Sequence, residues 1–156
     1  MTSEENIQNE LIKKFGFLDG KIKIQRPRRI FVEVGPENFA KIFEYALKNL
    51  SFVMLCTITG LDEGTTLGFI YHIAREDGIM LNIKVSVDRN NPVVKTITGY
   101  FRGADIYERE LMDLLGAKID GLPKGGRYPL SDDWPEDEYP LRKDWKKTQE
   151  GVKSDA

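Results

Sequence analysis

From Phe52 to Val87 the chain carries three apolar-rich runs, 52–59, 66–74 and 79–87, parted by Leu61-Asp62-Glu63-Gly64 and Arg75-Glu76-Asp77-Gly78. Connections that short, each with a glycine, join antiparallel neighbours, so the runs read as a meander of three strands. The third shows the period of two most plainly. Ile79, Leu81, Ile83, Val85 and Val87 share one face, and Met80, Asn82, Lys84, Ser86 and Asp88 share the other. Such a strand buries one side and leaves the other mostly wet.

The cover for that buried side is written on both flanks of the meander. Pro36 opens a helix on which Phe39, Ile42, Phe43, Ala46, Leu47 and Leu50 form one continuous face, while Lys41, Glu44 and Lys48 lie outside it. A second helix is predicted from Ala104 to Leu115, with Tyr107, Leu111, Leu114 and Leu115 inward and Gly116 as its stop. Near the start, Ile7, Leu11, Ile12 and Phe15 recur at helical spacing between Ser3, a candidate N-cap, and Gly16. Lys21–Gln25 and Arg29–Val34 alternate as strands around Pro27, and Val93–Thr98 reads as a further strand after Asn90-Asn91-Pro92. The order predicts an α+β fold, a mainly antiparallel sheet covered by helices. At 156 residues and 40% hydrophobic content the chain can bury one core without metal or disulfide staples.

Periodicity ends at Gly116. From Ala117 to Ala156, forty residues punctuated by Gly121, Pro123, Gly125, Gly126, Pro129, Pro135 and Pro140 favour neither helix nor strand. Tyr128, Trp134, Tyr139 and Trp145 are anchors that solvating tails lack, so the stretch reads as an ordered arm that frays from Lys146 onward. Two regions are expected: an α+β domain, 1–116, and an extended C-terminal arm, 117–156, whose order comes from a partner surface.

Charge and chemistry narrow the function by exclusion. Twenty-three basic residues against 25 acidic ones leave a net charge of -2, so no chain-wide field attracts nucleic acid or anionic lipid. No apolar run approaches the roughly 20 residues of a membrane-spanning helix, and the acidic opening, Met1 to Glu5, reads as no signal peptide. One cysteine, Cys56, lies in an apolar run and is expected to be a buried, reduced thiol, in keeping with a cytoplasmic setting. With His72 as the sole histidine, neither a zinc site of cysteine and histidine nor an iron–sulfur cluster can be assembled.

A Cys56–His72 nucleophilic pair is geometrically open between neighbouring strands but has no orienting residue. Asp132, Asp133, Glu136, Asp137 and Glu138 lack ligand spacing and read as a solvated loop, and Lys124-Gly125-Gly126-Arg127 lacks the spacing of a phosphate loop. Lys21, Lys23, Arg26, Arg28 and Arg29 form a basic run with only Phe31 to stack on, which leaves a free-standing RNA- or anion-binding module as the alternative function. In the 104–115 helix, Arg109 and Asp113 are placed as an i,i+4 pair. No catalytic, cofactor-binding or metal-binding residue is assigned.

One set of words remains. Tyr107-Glu108-Arg109-Glu110, then Asp113 and Gly116, followed by Asp133-Trp134 and Pro140-Leu141-Arg142-Lys143-Asp144, resembles the two-part motif of the 30 kDa subunit of respiratory complex I, the NADH:quinone oxidoreductase. That family includes the corresponding subunits of energy-converting membrane-bound hydrogenases. The resemblance implies a hydrophilic, cytoplasmic-side subunit without cofactor, tied to the membrane only through its complex. Its implied partners are the large catalytic subunit, which it clamps, and the iron–sulfur small subunit; nucleic acid is not among them. Iron–sulfur clusters and, in the hydrogenases, nickel and iron would belong to those partners. Interface roles are implied for Glu108, Arg109, Glu110, Asp113, Trp134, Pro140, Leu141, Arg142, Lys143 and Asp144.

The chain departs from the complex I pattern at Gly121-Leu122-Pro123, where Gly-His-Pro is usual, and at Ile106, where an aromatic is frequent. Together with the short chain and the lack of a fused large-subunit domain, this points to a hydrogenase-type or ferredoxin-linked complex rather than an NADH-driven one.

Overall fold

The computed structural model describes residues 1–146; the fraying expected from Lys146 onward falls, Lys146 apart, outside them. Helix α1, Ser3–Lys14, starts one residue earlier than its apolar spacing suggests, because Thr2 is the cap. The Thr2 hydroxyl accepts the Glu5 N–H at 3.2 Å and the Glu5 carboxylate accepts the Thr2 N–H at 2.7 Å, a reciprocal capping box. After a 3₁₀ turn at Gly16–Leu18 come β1, Ile22–Arg26, and β2, Arg29–Val34, then α2, Pro36–Asn49. The meander is β3, Met54–Asp62, β4, Thr66–Ala74, and β5, Met80–Asp88. A short β6, Val93–Lys95, leads to α3, Ala104–Leu115, and β7, Lys118–Asp120.

Five strands form one sheet in the order β1-β2-β5-β4-β3. All neighbours are antiparallel except β2 and β5, which run parallel with Val32 opposite Ile83. The chain leaves β2 through α2, crosses to the far edge, and returns by two hairpins so that β5 pairs with β2. The alternation of β2, β4 and β5 sends Ile30, Val32, Phe69, Tyr71, Leu81, Ile83 and Val85 into one core with Phe39, Ile42 and Phe43 of α2, Leu11 of α1, and Leu111 and Leu115 of α3. Each such side chain contributes roughly 1.5–3 kcal/mol when fully buried. Lys23, Phe31, Glu33, Ile70, His72 and Lys84 occupy the alternate positions, on the opposite face of the sheet.

Three expectations change. Cys56 is exposed, not buried. Leu55 pairs with Ile73 and Thr57 with His72, so Cys56 is the extra residue of a bulge on an edge strand, and the bulge breaks the inward–outward alternation. Asn82 is buried on the face expected to be wet, its side-chain amide donating to the Ile30 carbonyl at 2.9 Å. Finally, β6 stops at Lys95 instead of Thr98 and pairs in parallel with β7, in the stretch assigned to the arm. Paired backbone therefore continues four residues past Gly116, and the arm proper begins after Gly121.

Candidate partner interface

Helix α3 sits against β3 because Gly60 has no side chain there. A Cβ at Gly60 would stand 2.3 Å from Leu115 Cδ1 and 2.8 Å from Leu111 Cδ2. On the same inward side lies Glu108, fully buried, with the Ile97 N–H donating to it at 2.7 Å and the Thr96 hydroxyl at 2.6 Å. Burial pushes its carboxyl up from the ordinary range, opposed by these two hydrogen bonds. Glu108 therefore ties the 96–98 segment to α3 and, fully buried within the chain, has no exposed surface to offer the interface role expected for it. The Tyr71 hydroxyl, buried and without a hydrogen-bond partner, is held in its neutral form first by burial and then by the Glu108 charge.

The outward side of α3 is occupied by the chain's own arm. Arg109 pairs with Asp105 at 2.9 Å and donates to the Pro123 carbonyl at 2.7 Å. The expected Arg109–Asp113 pair is not made: the preceding acid, one turn back, takes Arg109. Asp113 instead accepts the Leu130 N–H at 3.2 Å and lies 3.7 Å from the Arg127 guanidinium. Glu110 is half-buried and makes no hydrogen bond or ion pair among the described residues.

At the C-terminal end of α3 the arm supplies the cap. Gly116 closes the helix in the left-handed conformation, φ 76°, and a Cβ there would lie 2.7 Å from the Tyr139 ring and 2.9 Å from the Arg142 guanidinium. Arg142 donates from Nε to the Leu115 carbonyl at 2.8 Å and lies 4.7 Å from the centroid of the Tyr139 ring; the Leu141 N–H donates to the Leu114 carbonyl at 3.0 Å. A cation and an amide thus meet carbonyls that the helix leaves open, at the negative end of its dipole.

A second fastening reaches the sheet. Arg89 bridges Asp62 and Asp144, and Asp62 also accepts the Lys143 N–H at 2.7 Å and the Gly64 N–H at 2.9 Å. The guanidinium, aided by those amides, holds the Asp62 carboxyl well below the usual range. Farther along, the Trp134 indole N–H donates to the Glu138 carbonyl at 2.9 Å, and the Trp134 and Trp145 rings lie 5.9 Å apart.

Of the ten residues expected at a partner surface, Glu108, Arg109, Asp113, Trp134, Arg142 and Asp144 use their side chains within the chain. Leu141 and Lys143 do so through the backbone. Within the chain the arm lies along α3 of its own domain. What faces outward is the Leu141 side chain, 55% exposed, with the exposed Lys143, half-buried Pro140, and Ile106 and Tyr128 at 51% and 47%. Gly60, Asp62, Arg89 and Thr96 were not singled out by the sequence; only the Asp-x-Gly turn around Asp62 offered a signal, and its meaning was a hairpin.

Cys56 and His72 form no catalytic pair. His72 donates from Nδ1 to Asn82 Oδ1 at 2.6 Å, because the Asn82 amide nitrogen already donates to Ile30, and Nε2 meets the Thr59 hydroxyl at 2.9 Å. Among the described residues no three His, Cys, Asp or Glu side chains gather where they could hold a metal ion, and no helix is long and apolar enough to cross a membrane.

Residues 32–151 match the family model described as respiratory-chain NADH dehydrogenase, 30 kDa subunit. The chain belongs to this family. Among its curated relatives, a subunit of the F420H2 dehydrogenase of Methanosarcina mazei is 31% identical over 136 residues, covering 83% of this chain and 86% of that protein. The membrane-bound hydrogenase beta subunit of Pyrococcus furiosus is 28% identical and aligns over 100% of this chain and 94% of its own. The 30 kDa-type fold is also that of a chain in the archaeal membrane-bound sulfane sulfur reductase, at TM-score 0.77 and 24% identity over 92% of this chain and 86% of that one. A trypsin-resistant Nqo5 fragment matches at TM-score 0.66 and 24% identity, over 80% of this chain and all of the fragment. The matched span takes in all ten motif residues, so α3 and its docked arm belong to the family portion of the chain.

Proposed function

We propose that this chain is a non-catalytic subunit of a membrane-attached, ion-translocating redox complex of the hydrogenase or complex I-like kind. It braces the large catalytic subunit beside the iron–sulfur small subunit, on the cytoplasmic side. The carrying observation is how the motif is used. Arg109, Asp113, Arg142 and Asp144 fasten the arm to the domain, while Leu141 of the motif, Ile106 of α3 and Tyr128 of the arm are large and exposed. Exposed apolar and aromatic groups with cations beside them are the composition of a protein interface. The named relatives, subunits of an F420H2 dehydrogenase and a membrane-bound hydrogenase, support the same reading. They lend none to the RNA-binding alternative for the 21–29 basic hairpin.

The test is to tag the chain in its native cell, solubilise the membranes gently, and identify stoichiometric companions by mass spectrometry. A large subunit with nickel-binding cysteines, an iron–sulfur subunit and antiporter-like membrane proteins would establish the hydrogenase type. A large subunit without those cysteines would move the assignment to a quinone- or sulfur-linked complex, and recovery of the chain alone would overturn the proposal.

A further inference from the structure

Between the N-terminal half of α3 and the 123–128 loop of the arm lies an open groove of about 760 Å³. Four cations line it, Arg102, Arg109, Lys124 and Arg127, against Asp105 as the one carboxylate. That is a local reversal of charge in a chain whose net charge is -2. Two of the cations are already occupied, Arg109 by Asp105 and Arg127 beside Asp113. The other two, Arg102 and Lys124, make no side-chain hydrogen bond or ion pair among the described residues, and both are exposed. Ile106 and Tyr128, both about half exposed, supply apolar wall. The groove is also preformed: Arg109 holds the Pro123 carbonyl, and Gly125 lies so close above the guanidinium that a Cβ would meet it at 2.5 Å.

We propose that this groove receives an extended, acidic segment of a partner subunit, with carboxylates on Arg102 and Lys124 and an apolar side chain between Ile106 and Tyr128. The inference rests on the reading of the chain as a complex subunit and adds where and by what chemistry one contact is made. Unpaired cations on a wall that also carries exposed apolar groups select a peptide over a free inorganic anion, which would have no use for Ile106 and Tyr128.

The test uses the assembled complex. A photoreactive p-benzoylphenylalanine replaces Tyr128 in the tagged chain, cells are irradiated, and the cross-linked peptide is sequenced from the purified complex. The expected result is one segment of a co-purifying subunit with net negative charge. R102E with K124E should lower the cross-link yield by roughly fivefold or more at moderate salt, and R102Q with K124Q should lower it less. Lys124 lies in an exposed loop, so K124E alone carries the test if the double variant does not fold. In an intact complex, a cross-link to a neutral or basic segment, to nucleic acid, or to nothing overturns the groove assignment, as does a yield unchanged by K124E. If no subunit co-purifies at all, the underlying subunit reading fails first and the groove proposal with it.

Discussion

The domain up to Leu115 and the arm from Leu122 to Lys146 meet along α3, yet they are held in different ways. Between α2 and the sheet the contact is Phe39, Ile42 and Phe43 on Phe69, Tyr71 and Ile83, with the Phe39 and Tyr71 rings 4.4 Å apart. Between α3 and the arm it is Arg142 on a helix carbonyl, Asp113 on an arm amide, and Arg89 between two carboxylates. Apolar burial is non-directional and spread over many atoms, so it tolerates redistribution. The arm depends on a few directional contacts near water. It should therefore come away from a domain that remains folded, and a subunit meant to settle against partners can adjust its arm without risking its core.

The strongest way to erase the distinction is to damage the shared core. Phe43→Ala, at a fully buried position between α2 and Tyr71, should cost about 3–5 kcal/mol in urea unfolding and loosen domain and arm together. Glu108→Ala probes the seam between α3 and the 96–98 segment. It leaves the Ile97 N–H without a partner inside the protein and should cost about 1–3 kcal/mol.

That seam also has a pH signature. Because the folded-state carboxyl of Glu108 is raised from 4.5, the folded chain holds this proton more tightly than the unfolded one. Its contribution is fully present below the unfolded value and is lost as pH rises through the folded one. Glu108→Gln should flatten that slope in unfolding measured across mildly acid pH; an unchanged slope would remove Glu108 as its source.

Gly116→Ala sharpens the contrast at the junction itself. A side chain at φ 76° costs roughly 1–2 kcal/mol, and the added Cβ must displace Tyr139 and Arg142. Limited proteolysis should then cut the arm while the domain stays resistant. Asp62→Asn should act more on the arm than on the domain, speeding arm cleavage on the order of tenfold with a smaller loss in the domain, where Asp62 also holds Arg89 and the Gly64 N–H. In the unsubstituted chain the Asp62 contribution is present above the ordinary carboxylate pKa and is lost as pH falls toward its lowered folded value, so acid should release the arm first. Domain and arm unfolding together in acid would refute that order.

Much of the domain was legible because its signals are local. Helix α3 runs from Ala104 to Leu115 as its apolar spacing and Gly116 predict, and Pro36 starts α2. The errors share one cause. Cys56 stands at a bulge that depends on β4, Asn82 is buried because Ile30 of β2 accepts its amide, and Arg109 turns to Asp105 because the arm claims Asp113. In each case the deciding neighbour is remote in sequence or chosen among several of equal spacing. The two-part motif was equally visible as a set of residues, while the direction in which each points was not.

By itself the sequence determined the family, the α+β class, the three α-helices and every strand but β7, and the charged words of α3 and the arm, because periodicity, caps and turn residues act over a few positions. Only the tertiary structure decided that β5 returns to β2 in parallel, that Glu108 faces inward, and that the arm caps the C-terminal end of α3. Those outcomes turn on which distant groups share a low-dielectric space, where an unpaired charge or amide is costly and a single well-placed partner decides the geometry.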